Sequence, residues 1–303
     1  MFASNTLEGT RERAAVLALL SRPKRELPWN QLADAIEERG SAMALLDELS
    51  AESERLFDVE DRKAFTLDDL ENLVVGWDAE GIQVVTVLDP SYPINLRMVH
   101  DRPPALFIRG ELRPEDERSI AIVGTRKATE EGRRQAAEIA HAAVAAGFVV
   151  VSGLAAGIDT VAHTTALDDH ARTVAVIGTG HHHSFPKQNA GLQERLGTET
   201  AVLSQFLPDQ GARRWTFPMR NAVMSGFARA TVVVEAGHTS GARMQARLAI
   251  EHGRPVFLLR SLLRHDWAKS FADSRPGTYV VDEGAEVLAH VERLYSEKLS
   301  LSA

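Results

Sequence analysis

The sequence predicts an α/β fold: a doubly wound, mostly parallel sheet that is preceded by a small helical module. From residue 119 onward, short apolar runs alternate with helical patterns, as in "IAIVG", "FVVVSG", "TVAVIG" and "ATVVVEAG". These runs are continuous Val, Ile and Ala stretches, which is typical of strands that helices bury on both faces. Before residue 80, apolar residues instead recur at helical spacing. We therefore expect a helical module over residues 1–80 and a sheet domain over 81–303, with its core at 119–290.

The helical module is predicted from three amphipathic segments, "RAAVLALL", "WNQLADAIEERG" and "SAMALLDEL", and from Gly40, which stands where a helix should stop. One interpretation is that the module is a packing or protein-contact domain, and the other is that it binds DNA. Its exposed positions are mostly acidic, which favours the first. After it, "IQVVTVL" predicts a strand, and a proline-rich connection ends in another strand, "ALFIRG".

Composition narrows the class of protein. The chain has 303 residues, 44% of them hydrophobic, and a formal net charge of −8, so any site for a polyanion must be a local concentration of cations on an acidic body. It contains no cysteine, which excludes disulfides and thiolate metal sites. Its longest apolar run, residues 142–151, is too short to cross a membrane, and no secretory signal follows Met1. We therefore expect a cytoplasmic protein with no membrane contact.

The predicted strands end in small and polar residues. In open parallel sheets, ligands bind outside the carboxyl ends of the strands, and the helix N-termini that follow present unpaired N–H groups to anions. Here those ends read "GTRKAT", "SGLAAGID", "GTGHHHSFPKQN" and "EAGHTSGA". Four converging turns predict a phosphate-bearing ligand. The contributing residues are Gly124, Thr125, Ser152, Gly153, Gly157, Gly178, Gly180, Ser240 and Gly241.

Several enzyme classes are disfavoured by missing motifs. Gly124 is followed next by Gly132, so the first strand does not lead into G-x-G-x-x-G, and neither a P-loop nor a G-x-S-x-G elbow occurs. An enzyme of the nucleotide phosphoribohydrolase kind would need a Pro-Gly-Gly-x-Gly-Thr loop, which "EAGHTSGA" does not provide. The sequence therefore predicts binding without catalysis and no cofactor.

Cations stand at two of these turns and just before a later helix. Arg126 and Lys127 follow Gly124, Lys187 lies in "FPKQN", and Arg220 precedes Asn221 in "FPMRNAVMSG". An exposed cation at a strand end can fork onto a phosphate. The alternative for the first two is an ion pair with a following glutamate.

Aromatic residues accompany these cations. Phe185 and Phe217 are candidates to stack on a nucleic-acid base, as aromatic side chains do in single-strand binding proteins. Loop packing is the alternative for each.

Two acidic residues have a role that the sequence leaves open. Asp159 is expected to be the N-cap of the next helix, with His163 orienting it or a ligand; acid–base catalysis is the weaker alternative. Glu235 ends a buried strand, where it accepts a hydrogen bond from a ribose or base amine or else caps the next turn.

The run His181, His182 and His183 raises the question of a metal site. Adjacent residues in a loop point in different directions, and no carboxylate follows at ligand spacing. We therefore predict no metal.

Six segments of the chain follow one another in the order and spacing of a known family: "AIVGTRKATEEG", "VVSGLAAGIDTVAH", "TVAVIGTG", "FPKQNAGL", "FPMRNAVMSG" and "VVVEAGHTSGARMQARLAIEHGRPVF". In these segments the chain resembles the DprA/Smf family of bacterial DNA-processing proteins. The resemblance covers about residues 82 to 258. It implies an extended Rossmann-like fold that binds and protects single-stranded DNA without hydrolysis, loads the RecA recombinase in natural transformation, and forms homodimers.

The same resemblance assigns DNA contacts to particular residues. It assigns the glycine-arginine turn to Gly124, Thr125 and Arg126, the DNA-contacting lysine to Lys187 with Asn189 beside it, and the Arg-Asn pair to Arg220 and Asn221.

The chain also departs from the family pattern. Residues 259–281 differ, "MRNAV" lacks two of the usual cations, and no winged-helix-like domain is expected after Ala303. An alternative function therefore stays open, that of a Rossmann-like sensor of nucleotide signals in a bacterial defence system.

Overall fold

The computed structural model describes residues 7–21, 28–56, 65–238 and 240–301. The strands are β1 (Ile82–Thr86), β2 (Ala105–Gly110), β3 (Ser119–Val123), β4 (Val149–Ser152), β5 (Thr173–Val176), β6 (Ala201–Ser204), β7 (Ala230–Val233), β8 (Val256–Leu259) and β9 (Thr278–Val281). The helices are α1 (Leu7–Ser21), α2 (Trp29–Arg39), α3 (Ala42–Leu56), α4 (Leu67–Ala79), α5 (Ile94–Arg97), α6 (Glu130–Ala145), α7 (Ile158–Asp168), α8 (Ala190–Glu199), α9 (Thr216–Phe227), α10 (Gly241–Glu251), α11 (Asp266–Ser274) and α12 (Gly284–Leu301).

All nine strands form one sheet, in the order β1-β2-β6-β5-β4-β3-β7-β8-β9. The seven strands from β3 to β9 pair in parallel, whereas β1 pairs with β2, and β2 with β6, in the antiparallel sense. The predicted fold class, a mostly parallel doubly wound sheet behind a helical module, is confirmed. β9 was not predicted. It is a short strand at the edge of the sheet and only its last residue is fully buried, so it lacks the apolar run that marks the others.

Helices cover both faces of the parallel strands. Alternate residues of β3 show this, because Ile120 and Ile122 pack with α6, α7 and α12, whereas Ala121 and Val123 pack with α9 and α10. The buried runs of the sequence therefore form the middle layer of three.

The N-terminal helices cover the antiparallel edge of the sheet. Ala14 and Leu17 of α1 pack with α4, β1 and Phe107 of β2. Ala15 and Val16, on the neighbouring positions of α1, belong to the main core with Val85 of β1. Because the module and the sheet share these clusters, the division into two domains stays a prediction, and residues 1–6, 22–27 and 57–64 of the predicted module lie outside the described residues.

Among the described residues, no helix combines the length and the apolar character that spanning a membrane requires.

Candidate functional site

The strand order of the sheet creates a crevice beside β3. From β3 the chain winds outward through β4, β5 and β6 in one direction, and β7, β8 and β9 continue on the other side. The loops after β3 and β7 therefore diverge, which is the usual position of a ligand site in such sheets. A pocket of about 450 Å³ lies there, lined by Gly124, Thr125, Arg126, Asp159, Phe217, Arg220, Asn221, Ser240, Gly241 and five of their neighbours, with Gln245 at its side.

Most of the predicted glycines at this edge let the loops pack on one another. A Cβ at Gly124 would lie 2.8 Å from Ile158 Cβ, and one at Gly178 would lie 2.9 Å from the ring of Phe217. The same substitution at Gly153 would collide with the guanidinium of Arg220. Gly241 differs, because nothing lies within 4 Å of a Cβ there and the residue is exposed.

Two further glycines belong to the same packing. Gly157 has a φ of 84°, and a Cβ on it would meet the carbonyl oxygen of Thr125. At Gly180 a Cβ would meet the backbone at Leu207 and Pro208. We conclude that most of the glycines at this edge serve loop packing.

Arg220 is buried beneath the pocket and holds the strand ends together. Its Nη1 donates to the carbonyl oxygen of Gly153, after β4, and to that of Val176 in β5 at 2.9 Å. Its Nε donates to Asn221 Oδ1 at 2.9 Å, and Asn221 Nδ2 donates to Gly241 O at 3.3 Å. Burial lowers the pKa of Arg220 from its ordinary value, and Asp159 opposes that shift.

Asp159 is also buried, and it is not the helix N-cap that the sequence predicted. The N-cap of α7 is Gly157, and Asp159 instead accepts hydrogen bonds from the N–H groups of Gly153 and Ala155. Burial raises the pKa of Asp159, while the Arg220 charge and the N–H groups lower it.

His163 does not contact Asp159 through a hydrogen bond. Its Nδ1 lies 2.7 Å from Thr173 Oγ1, whose hydroxyl donates to Val150 O. The Thr173 oxygen therefore accepts from the imidazole, and His163 connects α7 to the strands. Burial lowers its pKa to about 3.

Arg126 lies over two aromatic rings at the mouth of the pocket. Its Cζ is 5.7 Å from the ring centroid of Phe185 and 5.4 Å from that of Phe217. The two rings lie 5.2 Å apart and are tilted by 52°. Cation–π contacts of this kind hold a guanidinium in place while leaving its N–H groups available for an anion.

The exposed cations of the site carry no ion pair within the described part of the chain. Arg126, Lys127 and Lys187 are exposed, and the nearby Glu131 pairs with Arg134 instead. The predicted alternative, an intramolecular ion pair for Arg126 or Lys127, is therefore not what the structure contains.

Four of the predicted residues have side chains that are used within the protein. Ser152 Oγ donates to Ile122 O at 2.6 Å, and Asn189 Nδ2 donates to Leu154 O at 2.9 Å. Ser240 is the N-cap of α10. Thr125 Oγ1 accepts a hydrogen bond from the N–H of Lys127 at 3.2 Å.

Glu235 holds the turn after β3. Its carboxylate accepts from Thr129 N at 2.9 Å and from Thr129 Oγ1 at 3.2 Å, and its carbonyl accepts from Thr125 N at 2.6 Å. Thr129 is the N-cap of α6. Glu235 therefore supports the turn across the crevice rather than the turn that follows it in sequence.

The three consecutive histidines point in different directions, as expected. His181 is buried, its Nε2 lies 2.9 Å from Phe107 O, and burial lowers its pKa to about 4. His182 lies between Asp209 and Glu80 at 2.7 Å from each, and these carboxylates raise its pKa.

Further cations and an aromatic ring near the pocket were missed by the sequence analysis. Arg213, Arg214 and Trp215 are exposed immediately before α9, and Trp215 is 51% exposed although its ring packs on Phe206. Arg243 is exposed in the first turn of α10. The signal was present, because "ARRWTF" places two cations beside aromatic residues just before "FPMRN".

Substituting Gly153 by alanine tests the buried scaffold. Because a Cβ there collides with Arg220, we expect Gly153→Ala to destabilise the protein by about 1–3 kcal/mol, as overpacked cores do. Gly191→Ala is the matched control: nothing lies within 4 Å of a Cβ at this α8 position, so the free energy of unfolding should rise by up to about 1 kcal/mol. Urea denaturation measures both, and equal stability of the two variants would contradict the packing.

The buried histidines make the stability depend on pH. His163 and His181 have pKa values of about 3 and about 4 in the folded protein, against about 6.5 when unfolded. Between these values the unfolded chain binds more protons, so stability is fully present above about pH 6.5 and is lost as the pH falls.

We therefore expect each histidine to lower the free energy of unfolding by about 1–2 kcal/mol between about pH 7 and about pH 5. His181→Gln should lose its share of this dependence, and the exposed His170→Asn should retain all of it. Urea denaturation at the two pH values provides the measurement. If His181→Gln keeps the wild-type dependence, the burial argument fails.

Comparisons with known proteins show to which family the chain belongs. The family model described as DNA recombination-mediator protein A matches residues 83–298. The DNA processing protein DprA of Bacillus subtilis strain 168 is 30% identical over 229 residues, which is 75% of each chain. The DprA of Streptococcus pneumoniae strain R6 is 34% identical over 208 residues, or 68% of this chain and 73% of the relative.

Solved structures agree with this. The X-ray structure of DprA from Streptococcus pneumoniae matches with a TM-score of 0.67 and 27% identity, over 93% of each chain. A structure of DNA processing protein A from Helicobacter pylori, described for its single-stranded DNA binding mode, matches with a TM-score of 0.61 over 70% of this chain and 96% of the other. At 22% identity the second match supports the fold alone. The expected resemblance is confirmed: the chain belongs to the DNA recombination-mediator protein A family, also called DprA/Smf.

Proposed function

We propose that the chain binds single-stranded DNA in the crevice between β3 and β7, without chemical turnover. The observation that carries this proposal is the exposed Arg126 over Phe185 and Phe217 at the mouth of the pocket. A cation for phosphate and aromatic faces for bases are the two elements that single-strand binding proteins combine. Membership of the family and the single-strand binding described for the relative from Helicobacter pylori support the same function.

The charge distribution supports a nucleic-acid ligand. The chain is acidic overall, and many of its described arginines are paired with carboxylates, as Arg134 is with Glu131 and Glu138. Arg126, Lys127 and Lys187 carry no such pair within the described residues, and Arg213 and Arg214 extend the exposed charge toward α9. A cluster of unpaired cations attracts a polyanion and releases its counterions on binding.

The shape of the site favours single strands over duplex. Phe185 and Trp215 are 41% and 51% exposed, so their rings have free faces on which an unpaired base can stack. Bases in a duplex are already stacked on one another and offer no such face.

The pocket is suited to binding rather than to catalysis. Asp159, its one carboxylate among the described lining residues, is buried and accepts two backbone N–H groups. Arg220 is equally committed to carbonyl groups of the protein. General acid–base catalysis needs a group with a free proton-transfer path to the substrate.

Recombinase loading, dimer formation and a cytoplasmic location are extensions of this proposal. We propose that the bound strand is passed to a RecA recombinase during natural transformation, which the family description as a recombination mediator supports. Pairing through α10 would use Met244 and Leu248, which are half-buried, whereas Ala249 of the predicted apolar stripe is fully buried in the core. We propose a homodimer that acts in the cytoplasm.

Charge-removing variants test the groove. Arg126→Ala and Lys187→Ala should each weaken single-strand binding by about ten- to a hundredfold, since a hydrogen bond to a charged group contributes about 1.5–3 kcal/mol. Each should also make the log–log salt dependence shallower by about 0.7, the value for one lost phosphate contact on a single strand. Fluorescence anisotropy of a labelled oligonucleotide over a series of salt concentrations measures both.

The matched control is Arg134→Ala, which removes an exposed arginine that is already paired with Glu131 and Glu138. It should retain the affinity and salt dependence of the wild type. Binding that is independent of oligonucleotide length and is displaced by free mononucleotides would contradict the proposal and favour the nucleotide-signal sensor.

A further inference from the structure

Three potential metal ligands meet at the edge of the sheet opposite the pocket. His100 and Asp101 lie in the turn after α5, and His252 is the C-cap of α10. One ligand atom from each lies within 4.8 Å of the other two. The N-terminus of α10 lines the pocket, and an 11-residue helix is about 16 Å long, so this cluster is separate from the proposed DNA site.

The tautomer of His252 follows from its neighbour Ser225. Ser225 Oγ donates its one hydrogen to Ala222 O at 3.0 Å and lies 2.9 Å from His252 Nδ1. With that hydrogen on Ala222 O, the serine oxygen accepts from His252 and Nδ1 carries the proton. In the neutral ring this leaves a lone pair on Nε2, as in a metal-binding histidine that is oriented by a hydrogen bond from its other nitrogen.

Nε2 of His252 faces a carboxylate oxygen at short range. Nε2 lies 2.7 Å from Asp101 Oδ1, and the His252 side chain is fully buried. Neither atom has a hydrogen bond of regular geometry within the described residues. Two such atoms held this close need a positive charge between them, supplied either by a proton on the imidazole or by a bound cation.

The surroundings favour a cation. The carbonyl end of α10 carries the negative end of the helix dipole, and His252 lies at that end. The ring of His100 packs against that of His252, with centroids 5.5 Å apart, and His100 is exposed, so its ring is free to turn toward the same point.

We propose that His100, Asp101 and His252 bind a zinc ion. Two imidazoles and one carboxylate suit Zn²⁺, which takes three protein ligands and a water in open sites. The ion would fasten the turn between α5 and β2 to the C-terminal end of α10. This inference replaces the expectation of no metal. The three consecutive histidines gave no reason to expect a metal site. The fold instead brings His252 close to a turn that is far from it in sequence.

The experiment uses the tag-free protein and Zn²⁺ alone as the probe. Competition against a chromophoric chelator should give one zinc per chain, and zinc should raise the thermal midpoint of the wild type. His100→Ala, an exposed position, and Asp101→Asn should each abolish stoichiometric binding and the thermal shift. Ser225→Ala should weaken zinc binding by about 10- to 100-fold, the usual effect of losing a group that orients a ligand.

His141→Ala is the matched control. His141 also lies beside an aspartate, with Nδ1 2.5 Å from Asp169 Oδ2, but no third ligand joins it within the described chain. This variant should bind zinc as the wild type does. Either a wild-type protein that binds no stoichiometric zinc, or His100→Ala and Asp101→Asn variants that bind it unchanged, would overturn the proposal. Single-strand binding should be the same in all these variants, so the outcome does not depend on the proposed function.

Discussion

The carboxyl edge of the parallel strands depends on one buried cation. Arg220 donates to carbonyl oxygens at the ends of β4 and β5 and fixes Asn221, which in turn reaches the start of α10. The buried Asp159 balances the charge of Arg220. The carboxylate of Asp159 also accepts hydrogen bonds from the backbone N–H groups of the loop after β4. A buried charge is costly unless hydrogen bonds satisfy it, so these contacts stabilise the arrangement of the loops. Gly153 is the residue whose missing side chain makes room for the guanidinium.

Two arginines have different roles at this edge of the sheet. The buried Arg220 is consumed by the scaffold, whereas Arg126 is held from one side by two aromatic rings and keeps its N–H groups exposed. In the proposed function, affinity for a polyanion comes from the second kind of residue. The sheet topology brings both kinds together, because the loops after β3 and β7 part at the point where the winding changes direction.

The strands, and the meeting of their glycine turns at one edge of the sheet, could be predicted from sequence because buried runs and glycine turns are local signals. The burial of Arg220 could not be predicted, because the segment "MRN" does not indicate whether its arginine faces solvent or carbonyl groups. The contact of Glu235 with Thr129 and the cluster around His252 depend on residues that are distant in sequence. β9 was missed because a half-buried edge strand carries no apolar run.

Photocrosslinking tests the central claim, that a single strand lies in the crevice between β3 and β7, most directly. A single-stranded oligonucleotide carrying 5-iodouracil would be irradiated in complex with the full chain, and the modified residues identified by mass spectrometry. The account predicts crosslinks at Phe185, Phe217 or Trp215, the aromatic residues around the pocket mouth. Crosslinks that fall instead at the opposite edge of the sheet, around the cavity lined by Tyr92, Ile94 and Phe227, would contradict it.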